Sequence, residues 1–141
     1  MSAVAAPLAS GVSPAHRTFL ALDFGLKRTG VAVGNRVLRN AQAQGSIHAQ
    51  GDARFVKIAA LLAEWQPDAL VIGVPFHPDG AGHENTVRAR RFGRQLAGRF
   101  NLPVFEVDER YTTTEALSLG AKDADAAAAR IILEQFLRSI D

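Results

Sequence analysis

The pattern of apolar and polar positions predicts that the chain opens with paired strands. Residues 18–23 and 30–34 are short, mainly apolar runs, and the glycine-bounded connector FGLKRT joins them. So short a connector between two strands predicts an antiparallel hairpin. A weaker third strand is expected near residues 43–48.

The rest of the chain predicts alternating helices and strands. Residues 53–65 and 85–100 repeat apolar side chains at three- and four-residue steps, which is typical of helices. The runs at 69–75 and 103–107 are almost wholly apolar, as buried parallel strands are. A short helix around residues 113–119 and a final helix over residues 125–139 complete the pattern.

This order of elements predicts an α/β fold with a mixed sheet, an antiparallel hairpin followed by parallel strands. The 141 residues suit one domain, which we place at residues 18–141. Residues 1–17 are rich in alanine, serine, proline and glycine, and we predict a disordered tail there.

Composition narrows the chemistry. The chain has no cysteine, so disulfides, cysteine-bound zinc and thiol nucleophiles are excluded. No stretch approaches the roughly 20 apolar residues of a membrane span. The net charge is only +2, but residues 85–100 hold five arginines and no acid. That helix presents either a solvated face or a face that binds phosphate.

Three acids stand at the ends of predicted core elements. Asp23 ends the first strand, Glu109 follows the last one, and Asp125 continues the apolar stripe of the final helix at its first turn. Sites in open α/β sheets form beyond the carboxyl ends of the strands, so we expect these carboxylates to converge. Carboxylates held close together stay ionised only with a cation between them, which predicts a divalent-metal site for phosphodiester hydrolysis.

Each acid also has a structural interpretation. Asp23 could open the turn, and Glu109 could form a surface ion pair with Arg110, with Asp108 as the alternative ligand. Asp125 could cap its helix, although Asp123 competes for that position.

Four motifs together resemble the YqgF family, also called the RuvX-type Holliday junction resolvases. They are FLALDFGLKRTGVAVG, VIGVPFHPDGAG, VDERYTT and DAAAARIIL, in the family's order across residues 18–141. The resemblance implies an RNase H-like fold of five strands with helices on both faces. It further implies a cytoplasmic nuclease that uses Mg²⁺ or Mn²⁺ and processes the 5′ end of pre-16S rRNA, so that ribosomal precursor particles are expected partners. By motif position, Asp23, Glu109 and Asp125 match the family's acidic triad.

The predicted nucleic-acid contacts lie around these acids. Lys27 and Arg28 occupy the hairpin turn, Arg110 follows Glu109, and the arginine-rich helix contributes a further pair, Arg88 and Arg91. The sequence departs from the family pattern at His77 and in the short stretch 120–125, where many members carry a longer, lysine-rich loop.

Other functions stay open at this level. A Holliday junction resolvase is the alternative nuclease, and a non-catalytic nucleic-acid-binding module is the alternative to an enzyme. The hairpin also resembles the phosphate-binding turn of actin-like ATPases, but those proteins need two domains and this chain fits one. The sequence does not decide between a monomer and a homodimer.

Overall fold

A mixed β-sheet forms the centre of the structure, a computed structural model that describes residues 4–5, 12–75, 82–109 and 122–140. Six strands lie in the order β1-β6-β5-β2-β3-β4 among these residues. In chain order the elements are β1 (Val4–Ala5), β2 (Thr18–Phe24), β3 (Thr29–Asn35), β4 (Asn40–Ile47), α1 (Gly51–Trp65), β5 (Ala69–Val74), α2 (Glu84–Phe100), β6 (Val104–Asp108) and α3 (Ala124–Ser139).

Strand direction agrees with the prediction from the sequence. β2, β3 and β4 are antiparallel neighbours, whereas β2, β5 and β6 run parallel. The third strand begins at Asn40, earlier than predicted, and a bulge beside Gly45 (φ 95°) interrupts its pairing with β3. The short helix predicted at 113–119 lies outside the described residues.

The beginning of the chain adds a strand that we did not predict. β1 pairs in parallel with the outer edge of β6, Val4 opposite Val104, because an edge strand offers unpaired backbone groups. Residues 12–17 also contact the domain, since Arg36 donates hydrogen bonds to the carbonyls of Ser13 and His16. These described parts of the predicted tail are therefore ordered against the domain, and the disorder of the segment as a whole stays a prediction.

Helices cover both faces of the sheet, and each face has its own apolar core. On one face, β-strand side chains such as Phe19 and Phe105 pack against Phe136 of α3. On the other face, Leu20 and Leu22 pack with Ile58 of α1 and Phe92 of α2. No helix in the described ranges has both the length and the apolar character needed to cross a membrane.

Alternation along β2 assigns its last residues to opposite faces. Asp23 follows Phe19 and Ala21 onto the α3 face, whereas Phe24 follows Leu20 and Leu22 onto the face of α1 and α2. Since β2, β5 and β6 are parallel, their carboxyl ends meet at one edge of the sheet, next to the first turn of α3.

Candidate active site

Asp23 is a half-buried carboxylate at the carboxyl end of the central strand β2. Its pKa is raised from 3.8 to about 7, mostly by burial and in smaller part by the negative charges of Glu109 and Asp125. The three acids predicted from the sequence therefore act on one another electrostatically, as expected for carboxylates at one edge of the sheet.

Gly30 makes the approach of α3 possible. It pairs with Asp23 across the β2–β3 hairpin, so both residues present the same face of the sheet to α3. A methyl group at Gly30 would overlap with the backbone carbonyl of Asp125. The absence of a side chain at Gly30 thus lets the first turn of α3 lie directly on the sheet beside Asp23.

Gly73 lies on the other side of Asp23 and likewise leaves room for a neighbouring acid. The register pairs Leu22 with Ile72, so Gly73 lies next to Asp23 in the sheet. A methyl group at Gly73 would overlap with the carboxylate of Glu109, which therefore occupies that space. The backbone N–H of Glu109 donates to the carbonyl of Val74 (3.0 Å), which fixes the chain just after β6.

Of the two neighbouring acids after β6, the geometry favours Glu109 over Asp108. Asp108 is exposed, whereas Glu109 is half-buried and its charge raises the pKa of Asp23. Side chains of a strand alternate between the two faces of the sheet. Asp108, one residue earlier, therefore points to the face opposite the site.

Asp123, and not Asp125, caps helix α3. Its carboxylate accepts a hydrogen bond from the N–H of Ala126 (3.1 Å) and another from the Ser46 hydroxyl (2.6 Å). The Ser46 hydrogen bond lowers the pKa of Asp123. Asp125 is left to face the site and forms an ion pair with Arg28 (Nε–Oδ2 3.0 Å).

The donor chemistry of the three acids fits a divalent cation. Carboxylate oxygens are the ligands that Mg²⁺ and Mn²⁺ prefer, and a cation between them would relieve the repulsion that raises the pKa of Asp23. As the side chains stand, no group of three or more His, Cys, Asp or Glu residues in the described parts of the chain is arranged to hold a metal ion. The ligand set therefore stays a prediction, with Arg28 as the present partner of Asp125.

The predicted nucleic-acid-binding residues fall into two groups. Lys27 and Arg28 line a pocket of about 500 Å³ together with His48 and Asp125, so they border one of the three acids. Arg88 and Arg91 line a separate pocket of about 300 Å³ between α1 and α2. Arg110 and His77 lie outside the described residues. His83, the other histidine considered for the cleft, caps helix α2 by accepting from the N–H of Asn85 (3.1 Å).

The sequence analysis missed Arg54. This residue of α1 is only 4% exposed, and its guanidinium donates to the carbonyls of Gly25 (2.8 Å), Leu26 (2.7 Å) and Ala49 (3.2 Å). It therefore holds the β2–β3 turn against the start of α1. Its spacing of four from Ile58, on the buried face of α1, is the signal that could have identified it.

The fold defines an RNase H-like protein. T. thermophilus RuvC, solved in complex with a Holliday junction substrate, matches with a TM-score of 0.51 over 86% of this chain and 94% of that chain. The sequence identity is 15%, so this likeness concerns the fold alone.

Sequence comparison then identifies the family. The family model described as "RuvX: Holliday junction resolvase" matches residues 17–139. A protein of Albidiferax ferrireducens is 76% identical over 140 residues, covering 96% of this chain and 90% of the relative. A protein of Polaromonas sp. is 68% identical over 124 residues, covering 88% and 90%. Both relatives are named "Putative pre-16S rRNA nuclease". The chain belongs to the RuvX family.

Proposed function

We propose that this chain is a nuclease that hydrolyses phosphodiester bonds at the 5′ end of pre-16S rRNA, with Asp23, Glu109 and Asp125 as its catalytic acids. Family membership and the names of the close relatives support the nuclease and its RNA substrate. The observation that carries the assignment of residues is the approach of Asp125 to Gly30 and of Glu109 to Gly73, the two glycines that flank Asp23 in the sheet. The raised pKa of Asp23 agrees with this arrangement. Cytoplasmic ribosomal precursor particles are the expected partners.

Asp23, Glu109 and Asp125 would hold the divalent cations, Mg²⁺ or Mn²⁺, that this chemistry uses. When bound, such ions activate a water molecule and stabilise the charge on the leaving oxygen. Asp23 lies in the sheet between Gly30 and Gly73, the two glycines that Asp125 and Glu109 approach, so it would be the central ligand of such a set. Lys27 and Arg28 line the pocket beside Asp125 and would hold a flanking phosphate of the substrate.

A cleavage panel tests the proposal. The substrates are a labelled pre-16S 5′ leader, an unrelated single-stranded RNA and a four-way DNA junction, each with Mg²⁺, with Mn²⁺ and with a chelator. We expect metal-dependent cleavage of the leader. Asp23→Asn should lower its rate by at least about 100-fold while binding is retained, since the loss of one group that stabilises the transition state costs about that much.

The control variant is Glu64→Gln, which removes an exposed carboxylate from α1, far from the acids. It should cleave like the unmodified chain. Full activity of Asp23→Asn would refute the assignment of the site, and tight binding of the leader without cleavage in any metal would favour the non-catalytic module.

The alternative nuclease is a Holliday junction resolvase, which the description of the matching family favours. Resolution requires two active sites that act in symmetry on one junction. Preferential cutting of the four-way DNA, together with a dimeric mass in light scattering, would support this alternative over pre-16S rRNA processing.

A further inference from the structure

We propose that the groove between α1 and α2 binds an unpaired nucleotide of the substrate, which makes a single-stranded polynucleotide the substrate class. The inference rests on the proposed function and adds a second binding site to it. The groove has a volume of about 300 Å³ and lies at the carboxyl end of β2, on the face of the sheet opposite the acids.

A buried positive charge lies in this groove. Arg54 is only 4% exposed. Its guanidinium stacks over the ring of Phe24, 4.6 Å from the ring centroid. Burial lowers the pKa of Arg54, and in the described parts of the chain no carboxylate pairs with it. A buried cation without an acidic partner is costly, so the groove favours an anion.

Arg54 also retains hydrogen-bonding capacity. Its three hydrogen bonds to backbone carbonyls use Nε and Nη2 only, and Nη1 has no acceptor within the described ranges. The fully buried side-chain atoms without a partner in these ranges are His16 Nδ1 and Thr29 Oγ1, so Nη1 of Arg54 is not fully buried. Since Arg54 lines the groove, Nη1 can donate to a phosphate or to a base edge that enters it.

The rim of the groove adds a second positive charge. Arg91 is exposed and, in the part of the chain that the structure describes, belongs to no ion pair. Arg88, beside it, is paired with Glu84 (2.6 Å), so Arg91 carries the uncompensated charge of this rim. A phosphate is the ligand that this arrangement fits best.

The apolar lining indicates that a base enters with its phosphate. Leu26 is 58% exposed and Phe24 is half-buried, so both offer apolar surface to the groove. Bases can stack on aromatic rings and on guanidinium planes only when they leave the double helix. A pocket between two helices therefore selects an unpaired nucleotide over a duplex.

The groove is continuous with the acidic site. Leu26 and Gln50 line both this groove and the pocket that contains Arg28 and Asp125. A strand held at the acids would pass over the β2–β3 turn and place a neighbouring nucleotide in the groove. Arg54 fixes that turn through the carbonyls of Gly25 and Leu26, so the two sites keep a constant separation.

Binding without divalent ions tests the groove separately from cleavage. Arg91→Gln is compared with Arg94→Gln, which removes the same charge from an exposed position of α2 outside the groove. The probes are a short labelled single-stranded RNA, the same sequence as DNA, and the RNA in a duplex, each titrated at several salt concentrations.

We expect Arg91→Gln to weaken single-strand binding roughly four-fold at about 0.15 M salt and to reduce the salt slope by about 0.7, as the loss of one phosphate contact requires. Arg94→Gln should keep the slope, and duplex should bind more weakly than single strand to every variant. Equal effects of the two substitutions, no effect of Arg91→Gln, or a preference for duplex would each overturn the inference.

Cleavage separates the two proposals. If the unmodified chain cuts RNA and Arg91→Gln keeps the same KM, the groove is refuted and the nuclease stands. If the unmodified chain never cuts but Arg91→Gln alone loses single-strand binding, the nuclease is refuted and the groove stands. RNA and DNA strands that respond equally to Arg91→Gln support the groove as a site that does not contact the 2′-hydroxyl.

Discussion

Replacing Asp23 with asparagine should stabilise the folded chain at neutral and alkaline pH. The pKa of Asp23 is about 7 in the folded chain and close to 3.8 in the unfolded chain. At a pH between these two pKa values, Asp23 is protonated in the folded chain and ionised in the unfolded chain. The free energy of unfolding therefore falls as the pH rises from about 4 to about 7. Above pH 7 Asp23 is ionised in the folded chain as well, and the free energy of unfolding is lowered by the full cost of holding that charge in the site.

The size of this penalty follows from the shift. About three pKa units at 1.36 kcal/mol each give roughly 4 kcal/mol, which is an upper limit because water and side-chain movement relieve part of it. Asp23→Asn removes the ionisable group and keeps the shape of the side chain. The variant should therefore gain up to about 4 kcal/mol near pH 8, and this gain should disappear near pH 4.

Urea unfolding in a chelator measures this difference. Unmodified chain, Asp23→Asn and the control Glu64→Gln are compared at about pH 4, 6 and 8, where the first two should diverge with pH and the control should follow the unmodified chain. Added Mn²⁺ should stabilise the unmodified chain more than Asp23→Asn, because the ion binds the ionised carboxylates of the folded state.

Two results would refute the reasoning. If Asp23→Asn is no more stable than the unmodified chain near pH 8, the ionised carboxylate does not carry the cost of burial and repulsion described above. If the variant is more stable by the same amount at every pH, its effect is one of packing and not of charge. In either case, ionisation of Asp23 does not destabilise the folded chain.

Three further substitutions test the geometry around the acids. Gly73→Ala places a methyl group against the Glu109 carboxylate and against the buried side chain of Ile132; initial rates should fall by about 100-fold and the free energy of unfolding by about 1–3 kcal/mol, and normal rates would contradict this. Gly30→Ala meets the backbone of Asp125 instead, so it should destabilise the chain by about 1–3 kcal/mol and lower cleavage, and unchanged stability would contradict the close approach of α3. Arg54→Met removes three hydrogen bonds to backbone carbonyls and should cost about 3 kcal/mol in urea unfolding, whereas a loss below about 1 kcal/mol would show that the turn does not depend on it.

Much of the fold could be predicted from local patterns. The apolar runs at 18–23 and 30–34 and the short connector between them predicted the hairpin, which pairs in the expected antiparallel way. Helical spacing predicted α1, α2 and α3 to within a few residues. These signals are local because an apolar stripe must face the core whatever its partner is. The two-residue strand β1 gave no such signal, since only the edge of β6 makes it a strand.

The convergence of the acids could be predicted from the sequence, but the choice between Asp108 and Glu109 could not. Position in the chain placed Asp23 and Glu109 at strand ends and Asp125 at a helix start. The choice of Glu109 over Asp108 depends on which side chain folds back over Gly73, and that depends on the register of β5 and β6. Register is a long-range property that a single segment does not carry.

The sequence by itself determined the order of strands and helices, the apolar face of each, and the set of carboxylates available for chemistry. The tertiary structure alone decided that Gly30 and Gly73 flank Asp23 and leave room for the other two acids. It also decided that Arg54 lies buried under the turn. The physical reason is that local pattern fixes which side faces inward, whereas close approach and desolvation depend on residues far apart in the chain.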